Sequence, residues 1–498
     1  MTNQLRLKQI ISFVVVPVLA LLLLFFGDID PENPKVTATL AVAILMATWW
    51  ITEALPLAVT SLLPVALFPI LGIMDGKAVS ATYFNDTIFL FMGGFLVALA
   101  MERWELHKRI AYKILCITGV SPSRILLGFM AASFFLSMWI SNTATAMMML
   151  PIAMAIIFQL DKLMEGRGSG RFSIAILLGV AYSSSVGGVA TLVGTPPNLS
   201  FARIFHIYFP ELPEVSFYKW LIFALPLALS IAAFIWIYLY FVFRPAKGEW
   251  REVERDIFHI KLKEMGSTTR EQKIVFVIFS LLALLWIFRA DIELGGFTLP
   301  GWSGIFPDSK YINDGTVAIF MAIILFIIPA GKGGHSSTGK RGMIMDWESA
   351  VKLPWSILLL FGGGFALATG FKESGLSLWV GSHFAGVASL HPFIVILIIS
   401  LIMTFLTELT SNTATTEMML PILAGIAVTT GLNPLMLMIP ATISASMAFM
   451  MPVATPPNAI IFGTGRVSVK TMAKTGFVIN IIGALIITLF VYLGSMFK

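Results

Sequence analysis

Apolar runs long enough to cross a membrane recur along this chain, and they limit its possible folds more than any other feature. Examples span 11–26, 36–51, 220–243, 274–288 and 477–492. A transmembrane helix needs about 20 predominantly apolar residues. Because 57% of the residues are hydrophobic and only 12% are charged, there is too little polar surface for a water-soluble protein of this size. The sequence therefore predicts an all-α integral membrane protein with about eleven transmembrane helices.

Basic residues are concentrated in a few segments that predict the orientation of the chain. These segments are the N-terminus, 103–124, 244–273 and 332–352. Because cytoplasmic loops carry an excess of Lys and Arg, we expect a cytoplasmic N-terminus and an outside C-terminus. The first apolar run follows a basic start but is not followed by a small-residue cleavage site, so we expect it to be retained as a helix. The expected location is a bacterial inner (cytoplasmic) membrane.

Two short motifs that each occur twice divide the chain into similar halves. Ser-Asn-Thr-Ala-Thr stands at 141–145 and at 411–415, an offset of 411 − 141 = 270. Thr-Pro-Pro-Asn stands at 195–198 and at 455–458, an offset of 455 − 195 = 260. Roughly five predicted crossings separate the Ser-Asn-Thr copies, and an odd number brings the second copy in from the opposite face. The sequence therefore predicts an inverted repeat of the kind found in many secondary transporters.

Each Ser-Asn-Thr interrupts a long apolar stretch, 125–158 in the first half and 392–428 in the second. We expect a re-entrant hairpin of two half-helices in each half, with the polar tip near the middle of the membrane. Non-helical backbone is tolerated there only inside the protein or beside a water-filled cavity. Asn142 and Asn412 then stand at the N-terminal ends of half-helices, where unpaired N–H groups and the helix dipole favour an anion.

The two Thr-Pro-Pro-Asn segments predict helix breaks that supply oxygen ligands for cations. Proline lacks an N–H group and clashes with the preceding turn, so we expect free carbonyl groups at Gly194 and Ala454. Hydroxyl and amide oxygens nearby complete two half-sites for a small alkali cation. Their residues are Ser137, Ser141 and Asn142 in the first half, and Thr407, Thr410 and Asn412 in the second.

The distribution of charge supports this interpretation, although a role in helix packing stays open as the alternative for each motif alone. Neither hairpin tip contains Lys or Arg, so a bound dianion would need about two co-bound cations to avoid unpaired buried charge. Ser, Thr, Gly and Pro are also ordinary packing residues of membrane helices. Two copies of two motifs in matched order favour a site.

Two acidic residues flank the second Ser-Asn-Thr and break the symmetry of the repeat. Glu408 and Glu417 correspond to Met138 and Met147 in the first half. This asymmetry argues against their membership of the symmetric core. A structural hydrogen-bonding or gating role and the tuning of cation or proton affinity both stay open for them.

The chain resembles the divalent anion/sodium symporter family over nearly its whole length. The resemblance rests on the two doubled motifs, on Thr-Glu-Ala-Leu-Pro-Leu at 52–57 and on Leu-Pro-Trp at 353–355 before the glycine-rich segment 361–364. It implies sodium-coupled symport of C4-dicarboxylates such as succinate, malate or fumarate, with sodium co-transported at two sites or more. It also implies a homodimer in which a transport domain moves like an elevator against a scaffold. A sodium-independent dicarboxylate exchanger and a sodium-coupled citrate or sulfate transporter are the alternatives.

The resemblance further implies which residues form the site. Substrate carboxylates are expected to contact Ser141, Asn142, Thr143, Thr195, Pro196, Ser411, Asn412, Thr413, Thr455 and Pro456. One sodium ion is expected at Ser137, Ser141, Asn142 and Gly194, and a second at Thr407, Thr410, Asn412 and Ala454.

Four segments follow from the repeat and the resemblance. Scaffold helices and an interfacial arm are expected in 1–121, and the first half of the transport domain in 122–243. A cytoplasmic loop, the second set of scaffold helices and a second arm are expected in 244–391, and the second half of the transport domain in 392–498. The predicted spans contain no acid–base or metal constellation, so we do not expect an enzyme. The expected partners are a dicarboxylate, sodium ions, membrane lipid and a second copy of the chain, with no nucleic acid.

Overall fold

The computed structural model of the chain is mostly helical, and it describes residues 2–163, 169–245, 256–294, 297–331 and 342–496. The helices of the first half are α1 (Thr2–Phe26), α2 (Pro34–Thr52), α3 (Leu57–Thr60), α4 (Leu63–Ile70), α5 (Gly76–Ala81), α6 (Asp86–Arg103), α7 (Leu106–Thr118), α8 (Pro122–Ser137), α9 (Asn142–Leu163), α10 (Ser169–Val189), α11 (Pro196–Tyr208) and α12 (Phe217–Phe243).

The second half continues with α13 (Ile257–Glu264), α14 (Arg270–Ile287), α15 (Asp314–Ile327), α16 (Trp347–Ala350), α17 (Trp355–Glu373), α18 (Leu376–His383), α19 (Pro392–Thr407), α20 (Asn412–Thr430), α21 (Pro434–Ala445), α22 (Pro456–Phe462) and α23 (Val469–Met496). Two short antiparallel strands, β1 (Ile292–Leu294) and β2 (Phe297–Leu299), form a hairpin between α14 and α15. Short 3₁₀ helices lie at Trp302–Ile305, Ser309–Tyr311 and Ala385–Ser389.

Seven helical stretches of the described residues are long and apolar enough to cross a membrane. They are Pro34–Thr52, Gly76–Arg103, Asn142–Lys162, Gly170–Val189, Phe217–Phe243, Trp355–Glu373 and Val469–Gly494. Six shorter apolar helical stretches include α8, α15, α19 and α21. The expected membrane protein is therefore confirmed. The number of about eleven crossings stays a prediction, because the shorter stretches fall below the roughly 20 residues of a full span.

The sequence repeat is reproduced in the boundaries of the helices around each Ser-Asn-Thr. Helices α8 and α19 have 16 residues each, and both begin with a proline. Proline is favoured there because the first helical N–H has no intrahelical partner. Both helices end before a short unwound segment, after which α9 begins at Asn142 and α20 at Asn412. Each half therefore contains a matched pair of helices joined at the polar motif.

The second motif also marks matched breaks in the helices. Helix α10 ends at Val189 and α11 begins at Pro196, while α21 ends at Ala445 and α22 begins at Pro456. Thr195 and Thr455 precede the prolines in extended backbone conformations, with φ −144° and −139°. A residue before proline is restricted to this region, so the Thr-Pro steps place both helix starts.

Close approach of helices positions the first helix pair, α8 and α9, in the core. A side chain at Gly187 on α10 would collide with the backbone of Phe134 on α8, and all residues of 172–189 except Ile174 are buried. Small residues allow this approach between membrane helices. Helix α10 is therefore the buried element against which α8 and α9 pack.

The expected orientation depends on basic segments that the structure describes only in part. Residues 246–255 of the segment 244–273 and residues 332–341 of the segment 332–352 lie outside the described residues. The orientation stays a prediction.

Candidate ion and substrate site

The tips of the two helix pairs contain the same hydrogen bond. Ser137 Oγ donates to Asn142 Oδ1 at 2.6 Å, and Thr407 Oγ1 donates to Asn412 Oδ1 at 2.7 Å. In each half a hydroxyl at the end of one helix holds the asparagine at the start of the next. The amide oxygen is thereby fixed, and the NH₂ group offers two donors. Both asparagines are half-buried.

In the first half, the tip meets the break between α10 and α11 at Gly188. A methyl group on Gly188 would lie 2.5 Å from Asn142 Oδ1 and 3.1 Å from the carbonyl oxygen of Gly194. Two oxygens expected at the first sodium therefore converge on one small space that only glycine leaves free. Ser137 is linked to these two oxygens by its hydrogen bond to Asn142. Ser141 Oγ accepts from the backbone N–H of Ala144 at 3.2 Å.

The second half is connected differently. Thr407 Oγ1 also contacts the carbonyl oxygen of Ala445, at 2.8 Å, which ties the tip to the end of α21. Thr410 Oγ1 lies 2.5 Å from Thr415 Oγ1 and donates to the carbonyl of Leu406. Among the described residues, no hydrogen bond joins Thr410 or Ala454 to Asn412. The structure therefore links only part of the second expected set.

The last residue of each Thr-Pro-Pro-Asn motif holds the break that precedes it. Asn198 and Asn458 are fully buried, and each side-chain NH₂ donates to carbonyl groups in or next to the unwound segment. The acceptors are Gly188 at 3.2 Å and Thr191 at 2.7 Å for Asn198, and Ala448 at 3.0 Å and Met451 at 3.1 Å for Asn458. Donors and acceptors share the offset of 260. The predicted site omitted both asparagines, although their place in the repeated motif was a usable signal.

The tips of the helix pairs are also tied to the breaks, and the same position donates in both halves, although side-chain and backbone groups exchange roles. Thr191 Oγ1 donates to the carbonyl of Met138 at 2.5 Å. At the corresponding positions, the backbone N–H of Met451 donates to Glu408 Oε2 at 3.0 Å. Glu408 therefore performs with its side chain what Met138 performs with its backbone, which supports the structural role considered for it.

The remaining expected substrate residues lie at or beside the starts of α9, α11, α20 and α22. The buried residues among them are Thr195, Thr413 and Thr455. The half-buried ones are Ser141, Thr143, Pro196 and Ser411, and Pro456 is exposed. Helix α11 of the first half packs against α20 and α21 of the second. Tyr182 on α10 donates to the carbonyl of Phe449 in the second break at 2.9 Å. The two halves therefore meet near their motifs.

Comparison with known proteins gives this arrangement a family. Residues 7–497 match the family described as the sodium:sulfate symporter transmembrane region. The chain belongs to this family. The expected membership of the divalent anion/sodium symporters is thereby confirmed, and so is the expectation that the chain is a transporter and not an enzyme.

Similar proteins are known over nearly the full length of the chain. The sodium-dependent dicarboxylate transporter SdcS of Staphylococcus saprophyticus is 42% identical over 488 residues, which is 97% of this chain and 91% of that protein. The protein of the same name from Staphylococcus aureus is 44% identical over the same shares.

Solved structures support the fold. The Alcanivorax borkumensis YdaH transporter matches 92% of this chain and 98% of its own with a TM-score of 0.57 at 12% identity. Neisseria gonorrhoeae MtrF, from a class of antimetabolite efflux pumps, matches 92% of this chain and 94% of its own with a TM-score of 0.54 at 14% identity. At these identities the similarity concerns the fold alone.

The ligand groups that this site offers are electrically neutral. Among the described residues, no three His, Cys, Asp or Glu side chains lie close enough together to hold a metal ion. The groups that converge are hydroxyl, amide and carbonyl oxygens, which suit a hard monovalent cation, and amide or backbone N–H groups, which suit a carboxylate. The arrangement offers ligands suited to a cation and to an anion side by side.

Proposed function

We propose that this protein is a sodium-coupled symporter of C4-dicarboxylates such as succinate, malate and fumarate in a bacterial inner membrane. The matched bonds Ser137–Asn142 and Thr407–Asn412 carry the proposal, because they give both halves the same oriented amide at a helix start. The relatives of 42% and 44% identity are named sodium-dependent dicarboxylate transporters, and the alignment covers both predicted half-sites.

The proposed sodium sites use the oxygens of each half. The first contains Ser137, Ser141, Asn142 and Gly194, and its support is the convergence of Asn142 Oδ1 and the Gly194 carbonyl at Gly188. The second contains Thr407, Thr410, Asn412 and Ala454 by analogy with the first. Two sodium ions would balance the two charges of the substrate, which avoids the cost of burying an unpaired dianion.

The proposed substrate site lies between the two tips. Its residues are Ser141, Asn142, Thr143, Thr195, Pro196, Ser411, Asn412, Thr413, Thr455 and Pro456. Each carboxylate would accept from the amide N–H groups and the first backbone N–H groups of one half, where the helix dipole favours negative charge. Contact between α11 and α20 supports the expectation that both halves face one substrate.

The remaining parts of the proposal concern movement and assembly. We expect re-entrant hairpins in an inverted repeat, and a transport domain of 122–243 and 392–498 that moves as an elevator against a scaffold of 1–121 and 244–391. Helices α10 and α22, and α12 and α23, pack across the halves of the proposed transport domain, which supports this division. The homodimer, the lipid contacts and the outside C-terminus rest on the family resemblance and on charge.

Uptake into proteoliposomes tests the coupling. With no dicarboxylate inside, labelled succinate is expected to accumulate only under an inward sodium gradient, and a potassium gradient of equal size serves as the control. Uptake that ignores sodium would refute symport. Uptake that requires internal dicarboxylate would establish an exchanger instead.

Sulfate is the second candidate substrate, because the family description names it. Unlabelled succinate is expected to compete with labelled succinate at far lower concentration than sulfate or citrate does. The reverse order would reassign the substrate and leave the sodium sites as proposed.

A further inference from the structure

One buried acidic side chain distinguishes the second half of the chain from the first. Glu417 lies on α20 with 0% of its surface exposed, whereas its counterpart Met147 on α9 is 59% exposed. Glu417 is the only charged residue within Asn412–Thr430. The substrate and sodium sites predicted from the repeat do not include Glu417. Intramembrane carboxylates are rare and usually functional.

The carboxyl group lies where three helices meet. Glu417 Oε1 accepts a hydrogen bond from Ser200 Oγ on α11 at 2.5 Å. Glu417 Oε2 has no hydrogen-bond partner among the described residues. This oxygen lies against Gly364 on α17, and a side chain at Gly364 would overlap it. The proposed transport domain supplies α20 and α11, and the proposed scaffold supplies α17, so Glu417 occupies the seam between them.

The elements that pack against α20 are α2, α11, α17, α18, α19, α21 and the 3₁₀ helix Ala385–Ser389. Their charged and titratable residues are Lys35 on α2, Arg203, His206 and Tyr208 on α11, Lys372 and Glu373 on α17, and His383 on α18, with Glu408 directly after α19. Helix α21 and the 3₁₀ helix contain none.

These groups are engaged elsewhere or exposed. Arg203 pairs with Asp86 at 3.3 Å, and Lys372 donates to the carbonyl of Ile207. Tyr208 donates to the carbonyl of Ala368, His383 Nδ1 contacts the carbonyl of Trp379, and Glu408 accepts from the backbone of 449–451. Lys35, His206 and Glu373 are exposed. In the described part of the chain, none of them forms a hydrogen bond or ion pair with Glu417.

A buried carboxylate without a cation is strongly unfavourable, because it loses its hydration and gains no opposite charge. A sodium ion would need several oxygen ligands, and the described contacts offer only Ser200 Oγ beside the carboxyl group. A proton needs one oxygen and no additional space. We propose that Glu417 is a proton-binding site in the seam between α20 and α17, and that the transport domain crosses only while the proton is bound. This inference rests on the proposed elevator movement.

The chemistry is a single acid–base step. Water delivers the proton to Oε2, the oxygen without a partner, and the carboxylate becomes a neutral acid that still accepts from Ser200 through Oε1. The proton stays bound while Glu417 passes the glycine of α17. It returns to water when the seam opens in alkaline solution, and the charged carboxylate then stops the movement.

Infrared difference spectroscopy detects the proton without any transport assay. At neutral pH the full-length protein is expected to show the carbonyl band of a protonated carboxylic acid, and Glu417→Gln is expected to lack it. In Ser200→Ala the band is expected at a higher frequency, because Oε1 loses its hydrogen bond. If Glu417→Gln leaves the spectrum unchanged, the proposal is overturned. This result does not depend on whether the protein is a sodium symporter.

Uptake at different pH values tests the coupling to movement. Between about pH 7 and about pH 9.5 succinate is almost entirely a dianion, so titration of the substrate contributes little. Wild-type sodium-driven uptake is expected to fall at least about fivefold across this range, since ionised carboxylates are excluded from the seam. Glu417→Gln, a neutral mimic, is expected to keep uptake within about twofold of wild type at the acid end and to show no alkaline loss.

Three results would overturn the proposal. They are an alkaline loss in Glu417→Gln equal to that of wild type, a wild-type profile that is flat, and a folded Glu417→Gln protein without uptake at any pH. A glutamine variant whose half-saturating sodium concentration rises while its pH profile stays that of wild type would assign the site to sodium. Absence of sodium-driven uptake in wild type would refute the proposed function and leave the infrared result to decide on the proton.

Discussion

Replacing Glu408 by alanine tests whether one carboxylate holds the second helix break in shape. Glu408 is buried and accepts from the backbone N–H groups of Phe449 and Met450 at 2.7 and 2.8 Å, and from that of Met451 at 3.0 Å. The side-chain NH₂ of Asn480 adds a fourth bond at 2.8 Å. The three backbone donors belong to the unwound segment that leads to Ala454, and Asn480 lies on α23.

The size of the effect follows from the number of donors left without a partner. Each buried donor that loses its acceptor costs about 1–3 kcal/mol. Phe449 is buried, whereas Met450 and Met451 are half-buried and partly open to water, so Glu408→Ala is expected to lower the free energy of unfolding by roughly 2–6 kcal/mol in total. Glu408→Gln keeps one carbonyl oxygen and places an NH₂ group against one N–H, which costs about 1–3 kcal/mol. The matched control Met138→Leu conserves volume at the repeat position and should cost less than about 1.5 kcal/mol.

Thermal unfolding of the purified protein in detergent measures this order, with wild type and Met138→Leu highest, Glu408→Gln lower and Glu408→Ala lowest. The sodium concentration that gives half-maximal uptake should rise from wild type to Glu408→Gln and further to Glu408→Ala, because a looser break positions the Ala454 carbonyl less well. If Glu408→Ala unfolds at the wild-type temperature with unchanged sodium dependence, the four hydrogen bonds do not hold the break.

Three further predictions concern the symmetric site and the seam. Asn142→Ala and Asn412→Ala are each expected to abolish sodium-driven uptake while the protein stays folded by size-exclusion chromatography; near-normal uptake in either would make the motif a packing element. Gly188→Ala places a methyl group 2.5 Å from Asn142 Oδ1 and should raise the half-saturating sodium concentration at least about tenfold, or about 1.4 kcal/mol, and an unchanged value would exclude this space as a cation site. Gly364→Ala should abolish uptake, because its methyl group overlaps Glu417 Oε2. Gly94→Ala at the corresponding position of the first half meets its nearest atom only at 3.5 Å and should transport normally. Equal uptake by the two variants would argue against a role for the seam.

The positions of the motifs in the fold could be predicted because their causes are local. Proline fixes the start of a helix, and the residue before it is extended, so Pro196 and Pro456 determine where α11 and α22 begin. The apolar stretches around each Ser-Asn-Thr predicted a pair of helices, and α9 and α20 begin at Asn142 and Asn412. These features need no knowledge of distant residues.

Other features depend on contacts that separate parts of the chain make only after folding. Ser200 and Glu417 are 217 positions apart, and Met147, the counterpart of Glu417 in the repeat, has no polar group that could indicate its role. The space at Gly188 exists because Asn142 and Gly194 approach it from different elements. Asn198 and Asn458 belong to a motif that was recognised, yet their carbonyl acceptors lie in unwound backbone whose path periodicity does not predict.

Electron cryo-microscopy of the protein in lipid nanodiscs with saturating sodium and succinate tests the central proposal most directly. Density for the dicarboxylate is expected between the two Ser-Asn-Thr tips, with one carboxylate within about 3.2 Å of the Asn142 amide and the other equally close to that of Asn412. A sodium ion is expected between Asn142 Oδ1 and the carbonyl of Gly194. A dicarboxylate bound away from both tips, or held by Arg or Lys side chains, would contradict the account.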